Sequence, residues 1–224
     1  MMLVVKSLLS GDLFRWLCTW SVGFVAVMVL LVRHAPHEQL GTKLSGRTPG
    51  LALSVEGTWH AARLGERLAG QGLDRVQASP LDRTMETARA IAAAAGLSVE
   101  PVEALNEVDF GDWTGRDFSD LARDPHWDAW NSARGTASAP GGEGMVAAQA
   151  RIVAHLQAIA RDRECGGKTV AMVSHCDMIR AAVAWVLGLP LDYLLRFDVD
   201  PASVTRIVLG DWGGRIMTLN EGTC

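Results

Sequence analysis

Short runs of apolar residues alternate with amphipathic stretches along most of the chain, and polar or glycine-rich segments separate them. An uninterrupted apolar run is typical of a strand that is buried on both faces of a parallel sheet. The run at 169–173 has the composition of a sheet centre, and the last two runs flank a Gly-Gly turn that predicts a hairpin. The predicted strands lie at 27–32, 76–78, 98–102, 169–173, 203–209 and 215–219.

Helical periodicity fills most of the intervals between these strands. Ser54 and Ser79 are predicted N-caps, and Gly96 lies where the second helix should end. The predicted helices cover about 55–69, 80–95, 143–163 and 177–187. The expected buried face of the third helix holds Val146, Ala150, Val153, Leu156 and Ala160. Because strands and helices alternate, the pattern predicts an α/β domain with a mostly parallel sheet.

Two long segments show neither the apolar runs of strands nor the periodicity of helices. Residues 35–53 are polar and rich in glycine, and residues 107–140 are rich in Asp, Gly and Trp. The second segment is long for a loop inside a compact domain, and such stretches are often lids or binding elements. We therefore expect both segments to shape a ligand site.

The first 26 residues allow several interpretations. No residue from 16 to 32 is charged, so this stretch resembles a membrane span or the core of a signal peptide. If residues 27–32 of this stretch form the first strand, too few apolar residues remain before them to span a bilayer. A third interpretation is a mis-called start, with the protein beginning near Met28. We expect a nonessential leader at 1–26 and one domain at 27–224, with membrane association only through the leader.

Composition narrows the class of protein. The chain has 224 residues, 49% of them hydrophobic, which suits one globular domain and excludes a disordered chain or a small disulfide scaffold. Its net charge of −4 argues against a nucleic-acid partner. The four cysteines form no C-x-x-C pair and no zinc-site spacing. This pattern favours reduced thiols and a cytoplasmic location, or membrane anchoring or export if the leader is genuine.

Basic and imidazole side chains follow three of the predicted strands. Arg33 and His34 come directly after the first strand, His175 follows the strand at 169–173, and Arg83 lies in the first turn after the strand at 76–78. In open α/β sheets, ligands bind beyond the carboxyl ends of the strands. Two guanidiniums and an imidazole suit a phosphate dianion, and a neutral histidine can attack phosphorus without a metal. An acid is still needed to protonate the leaving oxygen.

Four segments, in order and at matching spacing, resemble the motifs of the histidine phosphatase superfamily, the phosphoglycerate mutase-like proteins. LVRHA at 31–35 resembles the R-H-G motif, and SPLDRTMETA at 79–88 resembles the helix of the second arginine. LNEVDFGDWTG at 105–115 resembles the acid segment E-x-x-x-G-x-W-x-G, and VSH at 173–175 resembles the strand end of the second histidine.

The resemblance implies a role for each matching position. His34 would be the nucleophile and would form a phosphohistidine, while Arg33, Arg83 and His175 would hold the phosphate. Glu107 would protonate the leaving group and then activate water. The implied fold is a three-layer α/β/α sandwich, which agrees with the alternation of strands and helices.

The chain also departs from the family pattern. Ala35 replaces the usual Gly, and Cys176 replaces a Gly often found after the second histidine. An Asn often found beyond R-H-G has no clear counterpart, and Ser45 and Gly46 are predicted to substitute as substrate contacts. Several residues remain open alternatives: Asp109 and Asp112 for the acid, and Arg47 and Arg116 for substrate contacts. The other histidines, His37, His60, His126 and His155, are expected on the surface or in loops, although His37 could reach the mouth of the pocket.

The sequence therefore predicts a phosphatase that hydrolyses small phosphate monoesters through a phosphohistidine, with no metal or cofactor. A phosphoglycerate mutase is the first alternative, but the residues after Glu107 differ from the E-R-H-Y-G form of cofactor-dependent mutases. The second is a non-catalytic module that binds a phosphorylated ligand. The expected partner is a small phosphorylated metabolite, and family members are often monomers or homodimers.

Overall fold

A mixed sheet runs through the centre of the computed structural model, which describes residues 26–222. Most of the predicted leader therefore lies outside the described residues, and the first strand begins at Ala26, one position before the expected boundary. The strands, in chain order, are β1 Ala26–Arg33, β2 Arg75–Ala78, β3 Val99–Pro101, β4 Thr169–Ser174, β5 Val204–Gly210 and β6 Gly213–Glu221.

The order across the sheet is β3-β2-β4-β1-β5-β6. The first four strands in that order run parallel, whereas β5 pairs antiparallel with β1 and β6 pairs antiparallel with β5. The sheet is thus mostly parallel, as predicted, and its antiparallel part is the predicted hairpin. β4 lies between β2 and β1, which agrees with its expected place at the sheet centre.

Helices cover both faces of the sheet. They are α1 Val55–Ala69, α2 Asp82–Ala95, α3 Phe118–Leu121, α4 Pro125–Ser132, α5 Met145–Arg161 and α6 Cys176–Leu187. Leu30 and Val32 of β1 pack with α1 and α2 on one face, while Val29 and Leu31 pack with α5 and α6 on the other. This alternation explains why the β1 run is apolar throughout, because successive strand side chains point to opposite, equally buried faces. The three-layer sandwich is confirmed.

Helix boundaries show where local signals held and where they failed. Ser54 caps α1 by accepting a hydrogen bond of 3.0 Å from the amide of Gly57. Ser79 does not cap α2: the helix begins at Asp82, and Leu81 precedes it without a side-chain cap. The hydroxyl of Ser79 instead lies 2.9 Å from a ring nitrogen of His175. The Ser79 hydroxyl therefore binds a residue that is distant in sequence, instead of capping the helix that follows it.

The predicted face of α5 was only partly correct: Val153 and Ala160 pack against the core but are only partly buried. Of its expected members only Leu156 is fully buried, and Val146 is 57% exposed. The buried residues are Met145, Ala148, Ile152, Leu156 and Ile159. In an alanine-rich helix, two adjacent faces can both show apolar residues at helical spacing. The face that is buried here has the larger apolar side chains, which remove more apolar area from water.

The segment at 107–140 is more regular than predicted. It contains α3 and α4, and Trp113 and Trp130 anchor it in the core cluster beside α5 and α6. Asp124 caps α4 by accepting from the amide of His126. None of the helices found in residues 26–222 is long and apolar enough to cross a bilayer.

Candidate active site

The carboxyl ends of β1, β2 and β4 bring the predicted site residues together. Arg33 ends β1 and His34 follows it, Arg83 lies in the first turn of α2, and His175 sits between β4 and α6. A cavity of about 370 Å³ opens at this edge of the sheet. Its wall includes the predicted residues Arg33, His34, Ser45, Gly46, Arg83 and Glu107. Three separate strand ends thus converge on one concave site.

The ring of His34 is held in one tautomer. Its Nδ1 lies 2.9 Å from the carbonyl oxygen of Ala35. Because a carbonyl only accepts, Nδ1 carries the hydrogen and Nε2 keeps its lone pair. Burial, and then the positive charge of Arg83, hold the pKa of His34 well below its usual value. His34 is therefore a neutral imidazole at pH 7, and its Nε2 is a competent nucleophile.

His175 is oriented by two partners on opposite sides of its ring. Arg83 donates from Nη2 to His175 Nδ1 at 3.2 Å, so this nitrogen must be the acceptor. Nε2 then carries the hydrogen and donates to Ser79 Oγ at 2.9 Å. Ser79 in turn lies 3.2 Å from Asn106 Oδ1, an acceptor for its hydroxyl. Burial, and next Arg83, lower the pKa of His175 well below its usual value.

Ser79 is a site residue that the sequence analysis missed. The signal that could have found it is its position directly after β2, at the same sheet edge as the basic residues. Its role in orienting His175 depends on a residue 96 positions away, which no local pattern reveals.

The two site arginines supply donors for an anion. Arg83 is almost fully buried, and its Nη2 also donates to the carbonyl of Gly46 at 2.7 Å. Arg33 donates from Nη1 to the carbonyl of Val199 at 2.7 Å. Nε of both arginines and Nη1 of Arg83 are buried and meet no hydrogen-bond partner within the described part of the chain. Buried guanidinium donors of this kind suit a bidentate phosphate ligand.

Glu107, the predicted proton donor, faces the same cavity. Its Oε1 accepts from the amide of Val108 at 2.9 Å, and its Oε2 lies 3.8 Å from His175 Nδ1. Burial, reinforced by the negative charge of Asp177 and opposed by Arg83, raises the pKa of Glu107 to about 7. A large fraction of this carboxyl is therefore protonated at neutral pH and can donate a proton.

The alternatives for the acid and for substrate contacts occupy other positions. Asp109 accepts from the amide of Gly111 and pairs with Arg47, and neither it nor Asp112 belongs to the cavity wall. Arg47 donates to the main chain of Glu107, and Arg116 pairs with Asp124. Neither arginine belongs to the cavity wall, and their partners in the structure are protein groups.

Ser45 and Gly46 both line the cavity, but their contacts differ from a simple phosphate cradle. Ser45 Oγ donates to Gln39 Oε1 at 3.3 Å. Gly46 turns its carbonyl to Arg83, and its φ of +49° falls in the left-handed region that favours glycine. A Cβ at this position would come within 2.7 Å of Thr114 Oγ1. Gly46 therefore positions Arg83 through its main chain.

His37 lies deeper than expected. It is 6% exposed, lines the cavity and places its ring centroid 5.3 Å from that of His34. Burial, followed by the charges of Arg83 and Arg33, lowers the pKa of His37 to about 4. Its buried Nδ1 meets no partner among residues 26–222. The one sequence signal for this position is its place in the loop directly after β1.

Cys176 also belongs to the cavity wall, immediately after His175. Its thiol lies 3.6 Å from the carbonyl oxygen of Val199, and burial raises its pKa to about 11. The group is therefore a protonated thiol at neutral pH rather than a nucleophile. In the described ranges, no group of three or more His, Cys, Asp and Glu side chains is arranged to hold a metal ion.

Comparison with known proteins places this geometry in a family. The sequence model of the histidine phosphatase superfamily (branch 1) matches residues 29–222, so the chain belongs to this superfamily. It is 31% identical over 208 residues to phosphoserine phosphatase 1 of Hydrogenobacter thermophilus, covering 87% of this chain and 92% of the relative. It is 27% identical over 194 residues to adenosylcobalamin/alpha-ribazole phosphatase of Escherichia coli K12, covering 85% and 94%.

Solved structures support the same conclusion. The fold is similar to that of a mycobacterial glucosyl-3-phosphoglycerate phosphatase, with a TM-score of 0.76 and 26% identity over 88% of this chain and all of that one. These relatives are phosphatases that differ in the alcohol part of the phosphate ester they are named for. All three names specify a phosphatase.

Proposed function

We propose that the protein hydrolyses small phosphate monoesters in two steps, through a phosphohistidine on His34 and without a metal. The observation that carries the proposal is the state of His34: a buried, neutral imidazole whose Nδ1 is fixed on Ala35 and whose Nε2 keeps its lone pair in a cavity with two arginines. A carboxyl with a pKa of about 7 lines the same cavity and supplies the acid.

In the first step, Arg33 and Arg83 hold the phosphate oxygens, and His34 Nε2 attacks phosphorus in line with the ester oxygen. The N–P bond forms as the P–O ester bond breaks, and Glu107 gives its proton to the departing oxygen. In the second step, water attacks phosphorus, Glu107 takes the water proton, and the N–P bond breaks. Both steps together return the site to its starting protonation state.

The neutral His175 adds a donor when phosphate binds. Its Nε2 hydrogen is engaged by Ser79, so an added proton can reside only on Nδ1, the nitrogen that lies near Arg83 and Glu107. A phosphate dianion favours this protonated form by its charge, so the site takes up one proton from solvent as phosphate binds and releases it when phosphate leaves. Arg83 would then release His175 and turn its donors to the phosphate.

The cavity supports a small ester as the substrate. Its volume of about 370 Å³ is at the lower end of the range for small-molecule sites. Beyond the phosphate end, the wall combines apolar groups from Leu40 and Phe118 with the charged Lys43 and the neutral His37. We infer that His37 contacts the ester or its alcohol group.

The full-length protein would be assayed on p-nitrophenyl phosphate in EDTA, beside His34→Ala and a matched control, His126→Ala, on the exposed surface of α4. We expect turnover by the wild type and the control and none by His34→Ala, with phosphorus trapped on His34 in the quenched wild type. Turnover that needs a metal, or that survives loss of His34, would contradict the proposal. Isomerisation of 3-phosphoglycerate with a bisphosphoglycerate primer would assign a mutase instead.

We also infer a cytoplasmic protein, because its cysteines form no C-x-x-C pair, with a nonessential leader at 1–26 and a catalytic domain at 27–224. β1 begins at Ala26, one residue from that boundary, which supports the division. If the leader is genuine, the protein would be membrane-anchored or exported. Fractionation of cells that carry the full chain would separate these locations.

A further inference from the structure

A cluster of three charged residues lies next to the cavity but outside its wall. Glu143 precedes α5, and its Oε1 accepts three hydrogen bonds: from Arg47 Nη2 at 3.0 Å, from Arg151 Nη2 at 2.8 Å and from the amide of Asp109 at 2.9 Å. The side chains of Glu143 and Arg151 are 20% and 23% exposed. One carboxylate oxygen therefore joins two guanidiniums that come from different parts of the chain.

Both guanidiniums converge on the main chain of the acid residue. Arg47 donates from Nε to the carbonyl oxygen of Glu107 at 2.9 Å, and Arg151 donates to the same oxygen at 3.3 Å. Arg151 also donates to the carbonyl of Asn106 at 2.8 Å. The main chain of Glu143 adds a further link, because its amide donates to the carbonyl of Asp109 at 2.8 Å.

This arrangement fixes the backbone from which the acid side chain extends. Glu107 must bring its carboxyl within hydrogen-bond reach of the leaving oxygen, and a misplacement of about 1 Å can cost about a hundredfold in rate. Its own side chain is held only by the amide of the next residue and by its approach to His175, among the residues that the structure describes. The position of its main chain therefore decides where the proton is delivered.

We propose that Glu143 is a positioning residue for the proton donor: it holds Arg47 and Arg151 against the Glu107 carbonyl and so sets the distance of proton transfer. The inference rests on the proposed function, since it takes Glu107 as the acid. Its chemical consequence is specific. Loss of Glu143 should slow only those esters whose leaving oxygen needs a proton as the P–O bond breaks.

The test compares kcat/KM of full-length wild type and Glu143→Gln across a series of leaving groups. 2,4-Dinitrophenyl phosphate releases a stable anion and needs no acid, whereas glycerol phosphate releases an alkoxide that does. We expect Glu143→Gln to lose about a hundredfold on glycerol phosphate and less than about threefold on dinitrophenyl phosphate. A general defect in folding or phosphate binding would lower both values equally, and that result would overturn the inference.

The matched control is Glu100→Gln, which removes the same charge from a pair with Arg75 between β2 and β3. It should leave both substrates unchanged. If Glu143→Gln fails to fold, Arg47→Gln, at a side chain about one third exposed, should show the same dependence on leaving group. If neither variant folds, the cluster serves stability and the inference is wrong.

Glu107→Gln separates this inference from the proposed function. It should show the same dependence on leaving group, more strongly. If Glu107→Gln loses activity on both substrates alike, Glu107 is not the acid and the proposed mechanism fails at that step. If Glu107→Gln shows the dependence and Glu143→Gln does not, the mechanism stands and only the positioning role is rejected.

Discussion

Burial lowers the pKa of His34 and raises that of Glu107 to about 7, so at neutral pH the site pairs a neutral imidazole with a carboxyl that is protonated in a large fraction of molecules. The rate should rise as pH climbs through the lowered pKa of His34 and fall as pH passes about 7, because Glu107 then loses the proton it must donate. We expect a bell-shaped kcat/KM profile whose basic limb lies near pH 7.

The basic limb is assigned by Glu107→Gln. This variant keeps the side-chain shape but has no acidic proton to give, so kcat/KM on glycerol phosphate should fall about 10²–10⁴-fold and the limb near pH 7 should vanish. Ionisation of the substrate phosphate, near pH 6, is common to both proteins and serves as the internal reference. If the limb near pH 7 persists in Glu107→Gln, a group other than Glu107 is responsible for it.

The sequence allowed His37 at the mouth of the pocket, but it did not predict how deeply this side chain is buried. Its neutral, buried ring lines the cavity, and its removal should cost the substrate about one hydrogen bond. We expect His37→Ala to raise KM about tenfold with kcat changed less than KM, measured on glycerol phosphate. His126→Ala, on an exposed position of α4, is the control. An unchanged KM would show that the ring only fills space.

At the scale of elements, the acid segment and the stretch before α5 are locked together by main-chain contact. Gly111 has a φ of +50°, and a Cβ there would come within 2.2 Å of the Pro140 carbonyl oxygen. Gly111→Ala combines a strained backbone with a clash and should lower the free energy of unfolding by about 2–4 kcal/mol. Chemical denaturation measures this change.

Gly115→Ala is the matched control, because Gly115 has a φ of +83° and a Cβ added there would meet no atom of the described residues within 4 Å. It isolates the backbone strain, which should cost about 1–2 kcal/mol. Equal losses in the two variants would show that the close approach to Pro140 contributes nothing. A larger loss for Gly111→Ala would place the contact between the two segments among the determinants of stability.

The elements themselves were largely predictable, and the errors have a common cause. β1 and β4 are buried on both faces, so their apolar runs identify them without tertiary information. The predicted start of α2 was wrong, because Ser79 binds His175. The predicted face of α5 was only partly correct, because its larger side chains are the ones buried against the core. Local sequence patterns predict a helix or strand reliably when its capping and apolar residues make no competing contact with a distant part of the chain.

At the scale of the whole molecule, alternation of strands and helices predicted the layers, and strand ends predicted the edge at which Arg33, His34, Arg83 and His175 meet. The charged cluster of Glu143, Arg47 and Arg151 could not be predicted, since its members are separated by up to about a hundred residues and each would be an ordinary surface charge alone. Only the fold shows that Arg47 and Arg151 donate to the same carbonyl and that Glu143 accepts from both arginines.

The proposed phosphate donors come from β1, α2 and the start of α6, so a bound phosphate should stabilise the entire fold rather than one loop. At a phosphate concentration of about 100 Kd, binding to the native state alone adds about 2.7 kcal/mol to the free energy of unfolding. Urea denaturation with and without phosphate measures this gain. Arg33→Met keeps the apolar stem and removes donors, so it should lose most of the gain while experiencing the same salt effect. A gain that is equal in both proteins would come from salt exclusion, and phosphate would then not be held at this edge of the sheet.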